Sequence, residues 1–399
     1  MPHYIRFLKP PKILPSSSTS TVESLITITT DLGDSFLASD ANLLASLYLT
    51  NTTTTNQTTT TTLSSPFTWR AGMRELKITM GPYHRNIPSF AACSVRLCVC
   101  DASTTTTMKG DGGLIVDRLE PSGAPGIVAA WSGEFGAGRD DDAGGRGRMK
   151  KVQMQAEKLV ERRFEMGVGP RLSSWEETGN SIARHIWDAA LGSVMEIQHA
   201  YMGLPGSIPS LQRLFAESQN TGRRGLRVLE LGAGCGIVGT AMAQIVPRCS
   251  VLLTDLEEVR DIISRNLTCA TLADSSSARF QVLDWDDEEL PEDITSHGYD
   301  LIAVSDCTYN SDSLPALVRI LGVLVEVSPT ALVLVALKKR HESEEVFFEL
   351  MGSAGFEIDS HNVARLPSVD SEAGSVDIEL YAFRKDAPAR GVTVATLTN

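Results

Sequence analysis

Val228-Leu-Glu-Leu-Gly-Ala-Gly-Cys-Gly-Ile-Val-Gly239 sets glycine at every second position directly after an apolar run. The residues leading into it, 226–231, alternate apolar with other types, which predicts a short buried strand ending in a tight turn. Ile237, Val238, Met242, Ile245 and Val246 then recur near helical spacing. The turn therefore leads into the amino end of a helix, where unpaired N–H groups face outward. Glycine suits that turn because it tolerates positive φ and carries no Cβ to hold a ligand off the backbone. Strand, glycine turn and helix together describe a nucleotide-type site at the carboxyl end of the first strand of a doubly wound sheet.

Downstream, strand-like apolar runs recur at 250–254, 280–283, 301–304, 331–337, 357–363 and 376–383, with helical stretches between most of them. The last two runs leave no room for a crossover helix. The expected fold is thus α/β: a Rossmann-like, mainly parallel seven-stranded sheet closed by an antiparallel terminal hairpin. Helical periodicity over 181–201 precedes the first strand. Further upstream, strand-like alternation over 25–30, 67–80 and 94–100 predicts a small β-rich N-terminal region. Residues 50–62, nearly all threonine and asparagine, read as a disordered insertion. The glycine- and charge-rich residues 133–150 read as a flexible linker. The expected organisation is a β-rich region over 1–132, that linker, a catalytic domain over 151–390 and a tail over 391–399.

Of the 399 residues, 42% are hydrophobic, enough to fill a core, yet no run of about 18 apolar residues is present to span a membrane. The first residues lack an apolar secretory segment, and seven scattered cysteines fit a reducing compartment, so cytoplasm, with nucleus as a further site, is expected. A net charge of −13 argues against nucleic acid as a partner and favours a basic, lysine-bearing one. Cys98 and Cys100 form a C-x-C without a second pair, which argues against a metal.

Three strand ends carry candidate chemistry. Asp255 lies 23 residues after Gly232, the spacing at which an acid meets ribose hydroxyls; helix capping is the alternative role, and Glu257 the competing residue. Asp284 and Trp285 close the third strand, where a carboxylate can accept from an exocyclic amine and an indole can cover a ring face, or the tryptophan can simply pack on the sheet edge. Asp306 and Tyr309 close the fourth. An amine acting as a nucleophile must be neutral, aligned and close, and a carboxylate and phenol at this spacing can orient it, take its proton and wall its channel. Cys307 lies between them, but a thiol nucleophile is unnecessary. On the upstream helix, Trp187 reads as a core anchor and His185 as structural.

Glu230 with Gly232, Gly234 and Gly236 forms E-x-G-x-G-x-G, which resembles motif I of the S-adenosylmethionine-dependent methyltransferases. Together with I-W-D-A-A, T-D-L-E-E, L-D-W and D-C-T-Y, it resembles the seven-β-strand (class I) protein-lysine methyltransferases of the methyltransferase-like 21 family, over roughly residues 170–385. The resemblance implies a monomer using S-adenosyl-L-methionine to methylate a lysine of a protein substrate, an AAA ATPase chaperone or a translation elongation factor. It further implies that Glu230, Gly232 and Gly234 hold the aminoacid end of the cofactor, Gly236 completes the turn, Asp255 holds the ribose and Trp285, with Asp284, the adenine. Trp187 contacts the cofactor on this reading, and Asp306 and Tyr309 line the substrate channel. The N-terminal region lies outside the resemblance and leaves the target open. A small-molecule amine methyltransferase, a nicotinamide oxidoreductase and a binding scaffold on the same fold are the competing readings.

Overall fold

The computed structural model describes residues 1–52, 58–84, 90, 93–103, 106–107, 114–136, 152–179, 181–219, 224–340, 345–369 and 374–385. The C-terminal sheet has seven strands: Leu226–Leu231, Cys249–Asp255, Ser277–Val282, Leu301–Ser305, Leu332–Leu337, Phe356–Leu366 and Val376–Lys385, here the first to seventh. Their spatial order is third, second, first, fourth, fifth, seventh, sixth. The first five run parallel, and the seventh is antiparallel to both of its neighbours. Each of the seven strands expected in this sheet is present, within three residues at either end, whereas upstream the run at 67–80 divides between Thr58–Trp69 and Leu76–His84. Central strands such as Leu332–Leu337 are buried at every residue, as expected for a parallel sheet covered on both faces.

The order reverses between the first and fourth strands, so their carboxyl ends open a crevice at the switch point. Helix Ile237–Ile245 leaves the first strand through the glycine turn, and Arg260–Cys269 follows the second. The expected helix over 181–201 starts only at Asp188, because residues 181–187 lie in a loop and Trp187 takes extended angles at the N-cap. That helix, Asp188–Tyr201, is buried on nearly all sides, since it is wedged between the sheet and the N-terminal region. Gly192 allows the close approach: a Cβ there would lie 2.7 Å from Ile378 of the seventh strand.

The β-rich region is larger than expected. It comprises a four-stranded and a nine-stranded sheet that share a core including Ile26, Ile28, Leu43, Leu47, Trp69, Leu97 and Val160. Leu159–Met166 and Leu172–Glu177 belong to the larger sheet, so its strands run past the boundary expected at residue 150. Phe135–Gly136, at the start of the expected linker, pairs with Ser94–Asp101, while 137–151 lies outside the described residues.

The threonine tract also departs from expectation. Thr58–Trp69 pairs in register with Ala41–Thr52, Thr60 opposite Thr50 and Thr62 opposite Tyr48, leaving only 53–57 outside the described residues. Threonine is β-branched and forms favourable cross-strand pairs, so a tract too polar for a core still builds a solvent-facing strand. A strand at His3–Pro15 was not anticipated. Its register against Thr19–Thr29 breaks between Lys9 and Lys12, where Pro10 and Pro11 are accommodated at an irregularity.

Candidate active site

Gly232, Gly234 and Gly236 all adopt the left-handed conformation, with φ of 65°, 55° and 74°. The missing Cβ atoms serve the protein's own packing as much as any ligand. A Cβ on Gly232 would lie 2.5 Å from Cys307 Sγ and 3.1 Å from Trp285 Cζ2, and one on Gly236 would meet Ile263 at 2.8 Å. Asp255 braces this turn: Oδ2 accepts from Gly234 N–H at 2.7 Å and Oδ1 from Leu256 N–H at 2.7 Å. Two of its four acceptor positions remain. Glu257, the competing residue, is exposed and paired with Arg260. Asn266, which the sequence did not single out, ties the turn to the β-rich region, donating to Cys235 O at 2.8 Å and to Trp175 O at 3.0 Å.

Glu230 is only 2% exposed, and its Oε2 accepts from Gly239 N–H at 2.8 Å at the start of the following helix. Burial, above all, pushes its carboxyl up to about 8. One oxygen of the residue expected to hold an aminoacid group is thus already engaged with the backbone.

Around this turn the four parallel strand ends enclose a cavity of about 620 Å³, within the usual range for a small-molecule site. Nine of the ten expected residues line it: Trp187, Glu230, Gly232, Gly234, Asp255, Asp284, Trp285, Asp306 and Tyr309; Gly236 does not, and serves as the N-cap of the helix that follows the turn. Trp285 is half-buried and packs with the apolar cluster around Leu283 and Cys307. Asp284 is exposed and accepts from Asp286 N–H at 3.0 Å. Tyr309 is 56% exposed at the rim. Trp187 is placed by its neighbour Ile186, whose N–H donates to the buried Glu176 at 2.8 Å. The Cys307 thiol faces the backbone oxygens of Leu231, Gly232 and Ser305, and burial raises its pKa, so it is a packing group.

Asp306 is buried, with φ of 56°, and its N–H donates to Ala336 O at 2.8 Å. Arg340 holds its carboxylate bidentately, at 2.5 and 2.7 Å. Burial raises the Asp306 pKa and Arg340 opposes that rise. Arg340 and Lys338 follow the fifth strand, and both contact Asp31 of the N-terminal region, at 3.0 and 2.9 Å. Sequence reasoning missed all three. A cationic run at the carboxyl end of a parallel strand was an available signal for Lys338 and Arg340; Asp31 had none.

A family model described as "Lysine methyltransferase" matches residues 168–354. EEF1A lysine methyltransferase 3 of Mus musculus is 30% identical over 185 residues, covering 46% of this chain and 69% of the mouse protein. The chain belongs to the lysine methyltransferase family. Two further relatives agree with this membership. Protein N-lysine methyltransferase METTL21A of Danio rerio is 29% identical over 44% of this chain and 70% of that protein, and calmodulin-lysine N-methyltransferase of Arabidopsis thaliana is 29% identical over 35% and 46%. The chain spans about half the length of several of the curated relatives it matches. The segment matched by the family model begins inside the β-rich region, and most of that region precedes it.

The cavity fits S-adenosyl-L-methionine on its donor set. Six acidic side chains line it, Glu230, Asp255, Glu258, Asp284, Asp286 and Asp306, with no lysine or arginine lining it among the described residues. Such a lining suits a ligand carrying an ammonium, a sulfonium and ribose hydroxyls.

Proposed function

We propose that this chain is an S-adenosyl-L-methionine-dependent N-methyltransferase that modifies a lysine of a protein substrate in cytoplasm or nucleus. The observation that carries the reading is the set of six acidic side chains that line the switch-point cavity. When bound, the cofactor supplies an electrophilic methyl group on sulfur. Glu230 and the glycine turn would hold its aminoacid end, the free positions of Asp255 its ribose, and Trp285 with Trp187 its apolar faces. Asp306 has two acceptor positions beyond those taken by Arg340, and they can align an amine N–H and accept its hydrogen bond. Tyr309, exposed at the rim, would flank the incoming side chain.

The names of the relatives, EEF1A and calmodulin methyltransferases, support a protein acceptor of the elongation-factor or small regulatory type. The motif resemblance adds an AAA ATPase chaperone. The test is methyl transfer from tritiated S-adenosyl-L-methionine to EEF1A, calmodulin and valosin-containing protein, with the modified lysine located by mass spectrometry. Label on a lysine that disappears with Gly234→Arg supports the proposal. Binding of NADH in place of S-adenosylhomocysteine refutes it, and transfer to nicotinamide alone refutes the protein acceptor.

A further inference from the structure

Asp31 sits just after strand Thr19–Thr29 of the N-terminal sheet, and its side chain is completely buried. Its backbone is anchored by Arg6, whose guanidinium donates to Asp31 O at 2.7 Å and Thr30 O at 3.2 Å. Both carboxylate oxygens face the methyltransferase sheet. Oδ1 accepts from Lys338 at 2.9 Å and from Leu32 N–H at 2.9 Å, while Oδ2 accepts from Arg340 Nη2 at 3.0 Å and lies 3.4 Å from Asp188 N–H. Lys338 bridges onward to Asp188 at 2.7 Å, and Tyr4 donates to the other oxygen of Asp188 at 2.8 Å.

Arg340 therefore lies between two carboxylates, one from the N-terminal region and one, Asp306, from the cavity wall. Arg340 Nη2 is shared between Asp306 and Asp31, so the bond to Asp31 helps fix the direction from which the fork meets Asp306. The backbone of Asp306 is already set by Ala336, so the remaining freedom is in its side chain, and Arg340 removes it. Asp31, Lys338 and Arg340 do not line the cavity, so they have no direct access to cofactor.

We propose that Asp31 is a positioning residue for methyl transfer: the N-terminal β-rich region holds Arg340 through it, and Arg340 in turn orients the Asp306 carboxylate toward the acceptor amine. This rests on the methyltransferase reading above. It also assigns that region a part in the transfer site itself.

Asparagine at position 31 has one acceptor oxygen where aspartate has two, so it can serve Lys338 or Arg340 but not both. The experiment uses the full chain, labelled with 5-fluorotryptophan because the Arg340 guanidinium lies 5.4 Å from the Trp187 ring centre and reports there. Asp31→Asn is expected to bind S-adenosylhomocysteine within about threefold of wild type and to lower kcat for EEF1A methylation by about tenfold or more. The KM for S-adenosyl-L-methionine should hold, the Trp187 fluorine resonance should move, and Asp31→Glu should bring both readouts back toward wild type. Where Asp31→Asn is insoluble, Arg340→Lys takes its place, since it keeps the charge but has no fork to span two carboxylates; the same loss of kcat is expected.

Wild-type kcat in either variant overturns the proposal. So does a kcat loss matched by equal loss of S-adenosylhomocysteine affinity, which would make Asp31 a determinant of the cofactor fold. A wild-type chain that binds no S-adenosylhomocysteine, or does not label EEF1A, refutes the function or that acceptor. The fluorine spectrum then decides the coupling by itself: a Trp187 resonance unmoved by Asp31→Asn overturns it.

Discussion

Replacing Glu230 by glutamine should make the protein more stable at neutral pH and above. Glu230 is buried beneath the glycine turn, and burial lifts its carboxyl from an ordinary 4.5 to about 8 in the fold. Below about pH 4.5 the group is protonated in both folded and unfolded chains and contributes no pH dependence. As pH rises, the unfolded chain ionises first, so the folded state holds the extra proton and loses stability until pH passes about 8.

With these two values the wild type loses about 1 kcal/mol relative to its acid limit by pH 5, about 3 by pH 7 and nearly 5 by pH 9. Glutamine keeps the acceptor oxygen for Gly239 N–H and does not titrate. Other buried acids, such as Asp188 and Asp117, titrate equally in both proteins and cancel in the difference. Urea denaturation of wild type and Glu230→Gln at pH 5, 7 and 9 should therefore show the variant's advantage growing by about 2 kcal/mol from pH 5 to pH 7 and further by pH 9. Parallel stability curves across that range would refute the reasoning, because Glu230 would then be ionised in the fold as it is in water. Cofactor affinity should move oppositely, falling in Glu230→Gln, since a cationic ligand gains from the ionised acid.

Gly232→Ala forces a side chain into a left-handed position and against Cys307 Sγ. A loss of about 2–4 kcal/mol in urea denaturation is expected, of which Cys307→Ala in the same chain should recover about half. Asp306→Asn should keep S-adenosylhomocysteine affinity in calorimetry while abolishing methyl transfer; loss of binding instead would place Asp306 in the cofactor site. Lys338→Met leaves Asp31 and Asp188, both with no exposed side-chain surface, without the cation between them. The expected cost is about 3–5 kcal/mol in chemical denaturation, and a change within about 0.5 kcal/mol would show the network to be dispensable.

The C-terminal half was legible residue by residue because its signals are local. The run at 226–239 states a strand, a turn and a helix through alternation, glycine and spacing, and the later strands follow as strand-like runs, separated by helical stretches up to the terminal hairpin. Strand ends in such a sheet converge, so Asp255, Asp284, Trp285 and Asp306 could be assigned to one site without knowing their contacts. Composition was a poorer guide where side-chain polarity and backbone preference disagree: the threonines at 58–62 look too polar to order, yet pair as a strand.

What the individual side chains do was decided by tertiary structure. No local pattern shows that Glu230 meets Gly239 N–H, or that Asp255 spends two acceptor positions on the turn it follows. Least visible was the link from Asp31 to Arg340, 309 positions apart in sequence, and through it to Asp306. A buried carboxylate finds its cation wherever folding brings one, and only the packing of the β-rich region against the strand ends brings these together.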